Sequence, residues 1–333
     1  MEQETRISNV QEFDIMRGQS RHAWEEDDGQ RDENRGQRDD KCLRRALKPI
    51  LVCMAMCGCF NFSELFGRVD NKTRSARFYV SFVYQIFCFV ISLLGLTKLA
   101  VTVYALPEAR LILLLQCMWT VSLILCFGVC FRHFSSKWGH YEKAEKQWVD
   151  RVVPCFQELG IVVPDVSINK QARMWSVISI MISTMYTATY GLQMLVMPVE
   201  LVVYPLKDTP WSRMMSIILV LYENSIWIVP IAHMTVLTRL VTTCFELFNK
   251  HLKMEIEKNK NRIPKSFPKL FILHQDISKL LTELDTDMRW FFTVSFSFSI
   301  FLLIFVMYWI TKTSKPLNTI YIYFTINMPC LIF

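Results

Sequence analysis

The sequence predicts an all-α fold, a polytopic bundle of membrane helices whose amino terminus lies inside the cell. Hydrophobic residues make up 52% of the chain and gather into runs long enough to cross a bilayer, which takes about 20 apolar residues. Lysine and arginine are concentrated in alternate connections between those runs, as in membrane proteins of fixed orientation. The longest connection repeats apolar residues at helical spacing, so we expect helices on both sides of the membrane boundary.

The apolar runs define five complete spans and a partial sixth. The last run ends the chain at Phe333 and is too short to cross a hydrocarbon core about 30 Å thick. It would place a carboxylate near the middle of the bilayer, where a charge is costly. We therefore expect a carboxyl-terminally truncated membrane protein. The predicted spans are 78–105, 111–131, 174–196, 214–237, 291–311 and, in part, 318–333.

The segment before the first span divides into two parts. Residues 1–40 hold twelve acids and six arginines with almost no apolar run, so we expect a disordered acidic cytoplasmic tail. Residues 41–77 form an interfacial pre-membrane segment, in which the apolar stretch 46–60 is interrupted by Pro49. Residues 78–333 are the transmembrane helical domain.

The eleven cysteines do not form a metal-ligand pattern. Those in the spans behave as small hydrophobes. Cys53, Cys57 and Cys59 have no histidine nearby, so S-acylation of this juxtamembrane group is a better interpretation than a zinc site. We expect no metal and no cofactor.

The orientation follows from the basic residues. Segments 41–77, 132–173 and 238–290 hold eight, seven and ten lysines and arginines, against five on the opposite side of the predicted membrane. This asymmetry places the amino terminus and the long connections in the cytoplasm. Glycosylation acceptor patterns at Asn61 and Asn71 oppose this orientation, but the basic flank outweighs them.

The connection 238–290 is predicted to form a cytoplasmic helical hairpin. Its first half continues the apolar stripe of the fourth span, and its second half runs directly into the fifth span after Pro264 and Pro268. The stripe of the second half either belongs to a plain helical linker or pairs subunits in an assembly, because such stripes can form interhelical seams. The candidate assembly residues are Leu273, Ile277, Leu280, Leu281 and Leu284.

A candidate ligand site follows from polar and aromatic residues inside the spans. Glu223 lies nine residues below the outer end of the fourth span, on the order of 13 Å at 1.5 Å per residue. Lys98 lies at a matching depth in the first span, and a charge there needs a partner or water. We expect an outward-facing, aromatic-lined cavity for a polar small molecule, although the aromatic residues can equally be interfacial anchors. Its residues are Glu223, Trp227, Tyr186, Tyr190, Gln193, Gln116, Trp119 and Lys98.

Other classes of membrane protein fit less well. A G-protein-coupled receptor needs its amino terminus outside and an Asp-Arg-Tyr after the third span, where Val196-Met197-Pro198 stands. A secondary transporter shows internal repeats or Gly-interrupted spans, and a voltage-gated channel needs a helix with arginine at every third position. The spans contain no His-x-x-x-His or Asp-x-x-Asp pattern, so we do not expect an enzyme.

Several short motifs occur in an order that is typical of one receptor family. The first is Leu47-Lys48-Pro49-Ile50-Leu51, followed by Cys57-Gly58-Cys59-Phe60. The second is Leu247-Phe248-Asn249-Lys250-His251-Leu252 at the foot of the fourth span. The third comprises His274, Ile277, Leu280-Leu281 and Leu284-Asp285, with Tyr308 late in the fifth span. In order, spacing and topology the chain resembles the insect-type gustatory receptors from Leu43 to its end.

The resemblance implies a seven-span, ligand-gated cation channel of the plasma membrane that senses tastants and assembles as a homo- or heterotetramer with related subunits. Nucleic acid is not an expected partner. The family's last span lines the pore and carries Thr-Tyr and Gln-Phe, and that signature does not occur here. Odorant receptors of the same architecture stay an open alternative.

Overall fold

The computed structural model describes residues 43–61, 71–105, 110–134, 140–196, 207–259, 264 and 266–312. Every element in these ranges is a helix, which confirms the all-α fold class. Contacts divide the chain between Cys42 and Leu43, and the second unit, Leu43–Phe333, contains all of the described residues. The predicted tail 1–40 and the partial span 318–333 lie outside them.

Helix α1, Leu43–Met56, is the apolar helix predicted before the first span. Its apolar side chains, among them Leu47, Ile50 and Met54, are buried and pack against the helices that carry the third and fourth predicted spans. The predicted interfacial helix is therefore covered by the chain's own helices along this side. Pro49 is the seventh residue of α1 and removes the helical hydrogen bond to the carbonyl of Arg45. The side-chain amide of Asn169 donates to that carbonyl at 3.2 Å instead.

Two helix ends in this region are closed in the same way by glycine. Gly58 has φ of 74° and Gly160 has φ of 69°, a backbone region that glycine adopts without strain. After α1, Gly58 N–H donates to the carbonyl of Ala55 and Cys59 N–H to that of Met54. This pair of bonds is the Schellman arrangement, which satisfies carbonyls left open at a helix end.

Helices α2, Asn71–Ala105, and α3, Arg110–His133, pack against each other and contain the first two predicted spans. Two helices in the described part are long and apolar enough to cross a membrane, Phe78–Tyr104 and Pro210–Lys258. In the most apolar 18-residue stretch of each helix, only 22% and 39% respectively is buried inside the protein. The predicted spans 111–131, 174–196 and 291–311 fall on helices, and their crossing of a membrane stays a prediction.

The predicted cytoplasmic loop 132–173 is largely helical, which the sequence interpretation missed. It contains α4, Tyr141–Gln147, a π-helical turn, Trp148–Val152, and α5, Val153–Glu158. In the π turn, Val153 N–H donates to Trp148 carbonyl, one residue farther back than in an α-helix. Pro154 follows directly, and its ring clashes with the carbonyl four residues earlier, so the wider turn relieves that crowding.

Three long helices complete the fold: α6, Asp165–Val196, α7, Pro210–Lys258, and α8, Phe267–Lys312. Thr209 caps α7, accepting a hydrogen bond from the backbone N–H of Ser212 at 3.2 Å. Helix α7 packs along α6 and contacts α8. The rings of Phe245 and Phe248 on α7 lie 5.8 and 5.5 Å from that of His274 on α8. The expected extension of the fourth and fifth spans into a paired hairpin is therefore present as two continuous helices.

Candidate ligand-binding site

Three helices bring aromatic residues together at the centre of the candidate site, and a fourth supplies a hydrogen-bond partner. The rings of Trp119 on α3 and Trp227 on α7 meet edge to face, with centroids 4.8 Å apart. Tyr186 on α6 belongs to the same buried cluster. The indole N–H of Trp227 donates to the hydroxyl of Ser295 on α8 at 2.8 Å. Three of the predicted site residues thus form one cluster, and Ser295 is a partner that no sequence pattern had singled out.

The remaining uncharged residues of the predicted site are placed only in part. Tyr190 lies one turn from Tyr186 on α6 and is half-buried, which is the one-face arrangement expected from their spacing. The backbones of Gln116 and Gln193 lie in α3 and α6, and their side chains fall outside the described part of the structure.

Glu223 and Lys98 face each other across α7 and α2. The Glu223 carboxylate is buried, with 7% of the residue exposed, one turn from Trp227. It approaches α2 at Gly95, where an added Cβ would lie 3.1 Å from its Oε1. The Lys98 ammonium donates to the Ser216 hydroxyl at 3.2 Å and interacts electrostatically with Glu223. The two charges therefore share one buried polar zone between the helices.

Gly95 and Ser216 are the parts of this polar zone that the sequence did not reveal. Gly95 stood out only as one of a few glycines in the spans, and the structure shows that its missing side chain leaves room for the carboxylate. Ser216 is two residues from the predicted outer end of the fourth span and is buried. Gly95 lies one turn before Lys98 on α2. A glycine that close to a charged residue inside a span is the sequence signal that could have identified it.

A cleft between α6 and α7 adjoins the aromatic cluster and has about 390 Å³ of empty space, which includes open solvent at its mouth. Trp227 and Tyr186 contribute to its wall, whereas Glu223 and Lys98 do not. Its serine hydroxyl, Ser179, donates to the backbone carbonyl of Ser176 at 2.9 Å. The wall is therefore apolar, in contrast to the polar cavity expected from the sequence. It is lined by Trp175, Ile178, Ser179, Ile182, Tyr186, Trp227, Ile228, Ile231 and Ala232.

A second aromatic cluster surrounds the middle of α7, just past Pro230. His233 is fully buried, and its ring lies 5.4 Å from that of Phe134 and 6.5 Å from that of His133. Neither ring nitrogen of His233 has a hydrogen-bond partner among the described residues. Its contacts are packing contacts, so the structure gives His233 a structural role.

The five candidate assembly residues divide into two groups. Four of them, Leu273, Ile277, Leu280 and Leu284, are at most 1% exposed and belong to the main core of the chain. Leu281 is 45% exposed. The stripe on α8 thus packs within the chain, and only Leu281 of the predicted set offers an apolar surface to another subunit.

The thiols of the predicted juxtamembrane group are enclosed. Cys53, Cys57 and Cys59 are at most 8% exposed. Burial raises the pKa of the Cys53 and Cys57 thiols, which lowers their reactivity. S-acylation at these positions would require this part of the fold to open. Among the described residues, no group of three or more His, Cys, Asp or Glu side chains is arranged to hold a metal ion.

Comparisons with protein-family models, with curated proteins and with solved structures found nothing that matches this chain.

Proposed function

We propose that the chain is a polytopic receptor of the plasma membrane, of the insect-type gustatory class, and a subunit of a ligand-gated cation channel. The motif order from Leu43 onward supports the class. The two membrane-length helices support the location, because most of their apolar surface is not covered by the protein itself. The core helix of a soluble protein would be mostly buried. In this proposal all five predicted spans cross the bilayer, with the amino terminus in the cytoplasm.

The observation that carries the proposal is the continuity of α7. This single helix of 49 residues holds Glu223 and Trp227 of the candidate site, then the buried His233, then Phe248 of the cytoplasmic hairpin. A ligand that packs against its upper part therefore acts on the same continuous helix that contacts α8 below. Pro230, which lacks a backbone N–H, provides a point where the helix can bend between the two parts.

Ligand recognition is assigned to the site where α2, α3, α6 and α7 meet. A small-molecule tastant is expected to contact the aromatic cluster, with the Glu223–Lys98 zone bordering it on one side. A ligand that prefers one of two packings of these helices shifts the population toward it. No chemical step is assigned to the site, and the proposed activity is binding coupled to cation flow in a tetramer.

The proposal is tested by recording cation currents from cells that express the chain together with related receptor subunits. A panel of tastants should elicit currents that Trp227→Ala reduces at equal surface expression. Ala188→Leu, a change at an exposed position of α6, serves as the control and should respond as the unmodified chain does. Surface expression without ligand-evoked current in any subunit combination would contradict the channel function.

An odorant receptor of the same architecture is the second candidate, and the apolar wall of the cleft favours it. Volatile odorants are mostly apolar, whereas many tastants are polar. A response confined to volatile apolar compounds in the same recordings would support this alternative.

A further inference from the structure

We infer that the cleft between α6 and α7 binds an uncharged, apolar small molecule that arrives through the hydrocarbon of the bilayer. The inference rests on the membrane location in the proposed function and adds the ligand class. It concerns the cleft alone, whose wall does not include Glu223 or Lys98.

The first argument is that two polar groups in the wall are already hydrogen-bonded within the protein. Ser179 gives its hydroxyl proton to Ser176 carbonyl, and Trp227 gives its N–H to Ser295. Apart from Trp175 and Tyr186, the other wall side chains are aliphatic. A polar ligand would lose its hydration and regain few hydrogen bonds. An apolar ligand loses nothing and gains contacts with indole and branched aliphatic side chains.

The second argument is the kind of surface that the wall offers, which is mostly branched aliphatic and aromatic. Apolar cavities exclude water and accept apolar guests, because water inside them has too few partners. The two indole rings, Trp175 and Trp227, offer flat apolar surfaces to such a guest.

The third argument is access. Several wall residues, Trp175, Ile178 and Ile182 among them, are only half-buried, so the rim of the cleft reaches the surface. Next to the rim on α6, Val177 is 56% exposed and Met181 is 65% exposed. In the proposed orientation this surface faces lipid, so a molecule dissolved in the bilayer reaches the rim without crossing water.

The test uses brominated probes and the chain reconstituted in lipid nanodiscs. Bromine quenches tryptophan fluorescence at contact, and Trp175 and Trp227 line the cleft. We expect 1-bromooctane to give a saturable component of quenching above the linear contribution of probe in the lipid. The charged analogue 8-bromooctanoate at neutral pH should give the linear contribution alone.

Two variants test whether the saturable quenching by 1-bromooctane comes from binding in the cleft. Ala232→Leu fills the space and should weaken saturable binding of 1-bromooctane by about tenfold or more, equivalent to about 1.4 kcal/mol. Ala188→Leu makes the same change at an exposed position of α6 and should leave binding unchanged. If Ala232→Leu fails to fold, Ile182→Ala tests the inference in the opposite direction. It enlarges the cleft and should tighten binding of the bulkier 1-bromoadamantane.

The outcomes separate this inference from the proposed function. Equal saturable quenching in Ala232→Leu and the unmodified chain, or equal quenching by the charged analogue, would overturn the inference. Purely linear quenching by 1-bromooctane in the unmodified chain would overturn it as well. Loss of the saturable component in Ala232→Leu alone supports the cleft, even if no tastant evokes a current and the channel proposal fails.

Discussion

At the scale of single residues, the polar zone between α2 and α7 places two opposite charges inside apolar helices. Insertion scales give a cost of roughly 2.5–3.5 kcal/mol for one unpaired charge at the centre of a span. The electrostatic contact between Glu223 and Lys98 and the hydrogen bond from Lys98 to Ser216 offset part of this cost. The zone also depends on Gly95, because any larger residue there would meet the carboxylate.

We predict that Glu223→Gln weakens the ligand response of the assembled receptor with little change in surface expression, because the amide keeps the shape and removes the charge. Exchanging the charges, Lys98→Glu with Glu223→Lys, should restore expression better than either single change. Currents and surface labelling measure the two effects. Normal responses of Glu223→Gln across a broad ligand panel would assign this residue to structure only. If the double exchange restores expression no better than the single changes, Glu223 and Lys98 do not stabilise each other as a pair.

Gly58 and Gly160 form a natural pair for measuring backbone strain and steric overlap separately. Both have positive φ, so alanine costs roughly 1–2 kcal/mol at either position. An added Cβ at Gly58 would lie 2.9 Å from Cys88 Cβ, whereas at Gly160 it would meet nothing within 4 Å. We expect Gly58→Ala to lower the unfolding temperature in detergent clearly more than Gly160→Ala, since overpacking adds about 1–3 kcal/mol. Equal effects of the two changes would contradict the close contact of the turn after α1 with Cys88 on α2.

Asp276 on α8 gives a prediction about pH. Burial raises the pKa of its carboxyl, against the hydrogen bond from Gln147 Nε2 to Oδ1 at 2.9 Å and the charges of Arg151 and Lys279. The folded state thus holds this proton more tightly than the unfolded state, whose pKa is about 3.9. The contribution of Asp276 to stability is complete below that value and declines as pH rises through the raised pKa.

Asp276→Asn should therefore equal or exceed the unmodified chain in thermal stability at neutral pH, because the amide can still accept from Gln147. The difference should shrink as the pH approaches about 4. Unfolding temperatures in detergent across this pH range provide the measurement. The control is Asp285→Asn, at an exposed position paired with Arg289, where we expect a small effect. Greater stability of Asp276→Asn at pH 4 than at pH 7, relative to the unmodified chain, would reverse the assigned sign.

At the scale of elements, the apolar stripe on α8 can serve as a plain linker or as a contact between subunits. The different burial of its residues allows the two roles to be tested separately. A carboxylate at Ile277, which is fully buried, should cost several kcal/mol and disrupt the hairpin itself. A carboxylate at Leu281, which is 45% exposed, should leave the hairpin folded. Loss of the oligomer in Ile277→Asp could therefore result from unfolding of the hairpin. Loss of the oligomer in Leu281→Asp would instead indicate a lost contact between subunits.

We predict that Leu281→Asp reduces oligomer size in detergent while helix content by circular dichroism stays the same. Gln275→Asp, at another exposed position of the same helix, is the matched control and should leave the oligomer intact. Size-exclusion chromatography with light scattering measures both variants. An unchanged oligomer in Leu281→Asp would favour the plain linker and would show that Leu281 takes no part in a subunit contact.

At the scale of the whole molecule, the orientation rests on the basic residues of the long connections. We predict that an epitope tag inserted after Gly139, which lies outside the described residues, is inaccessible to antibody on intact cells and accessible after permeabilisation. A tag at the amino terminus should behave identically, since both lie on the cytoplasmic side in the proposed topology. Labelling of either tag on intact cells would reverse the topology and revive the G-protein-coupled receptor alternative.

The sequence by itself determined the helical class, the positions of the long helices and the hairpin, because apolar periodicity and length depend on local spacing alone. It also brought Trp119, Tyr186 and Trp227 to one depth, since helical rise converts residue number into height. Which faces of the helices meet depends on side-chain packing between distant segments, which no local pattern encodes.

Tertiary structure alone therefore decided the rest. It buried α1 in the core, converted the loop 132–173 into helices with Trp148 in the core, and placed Gly95 opposite Glu223. It also made the cleft apolar. The sequence shows that Ser179 and Trp227 carry polar atoms, but only packing shows that Ser176 and Ser295 already satisfy them. The polarity of a buried surface depends on which hydrogen bonds remain open, and that is a property of the assembled helices.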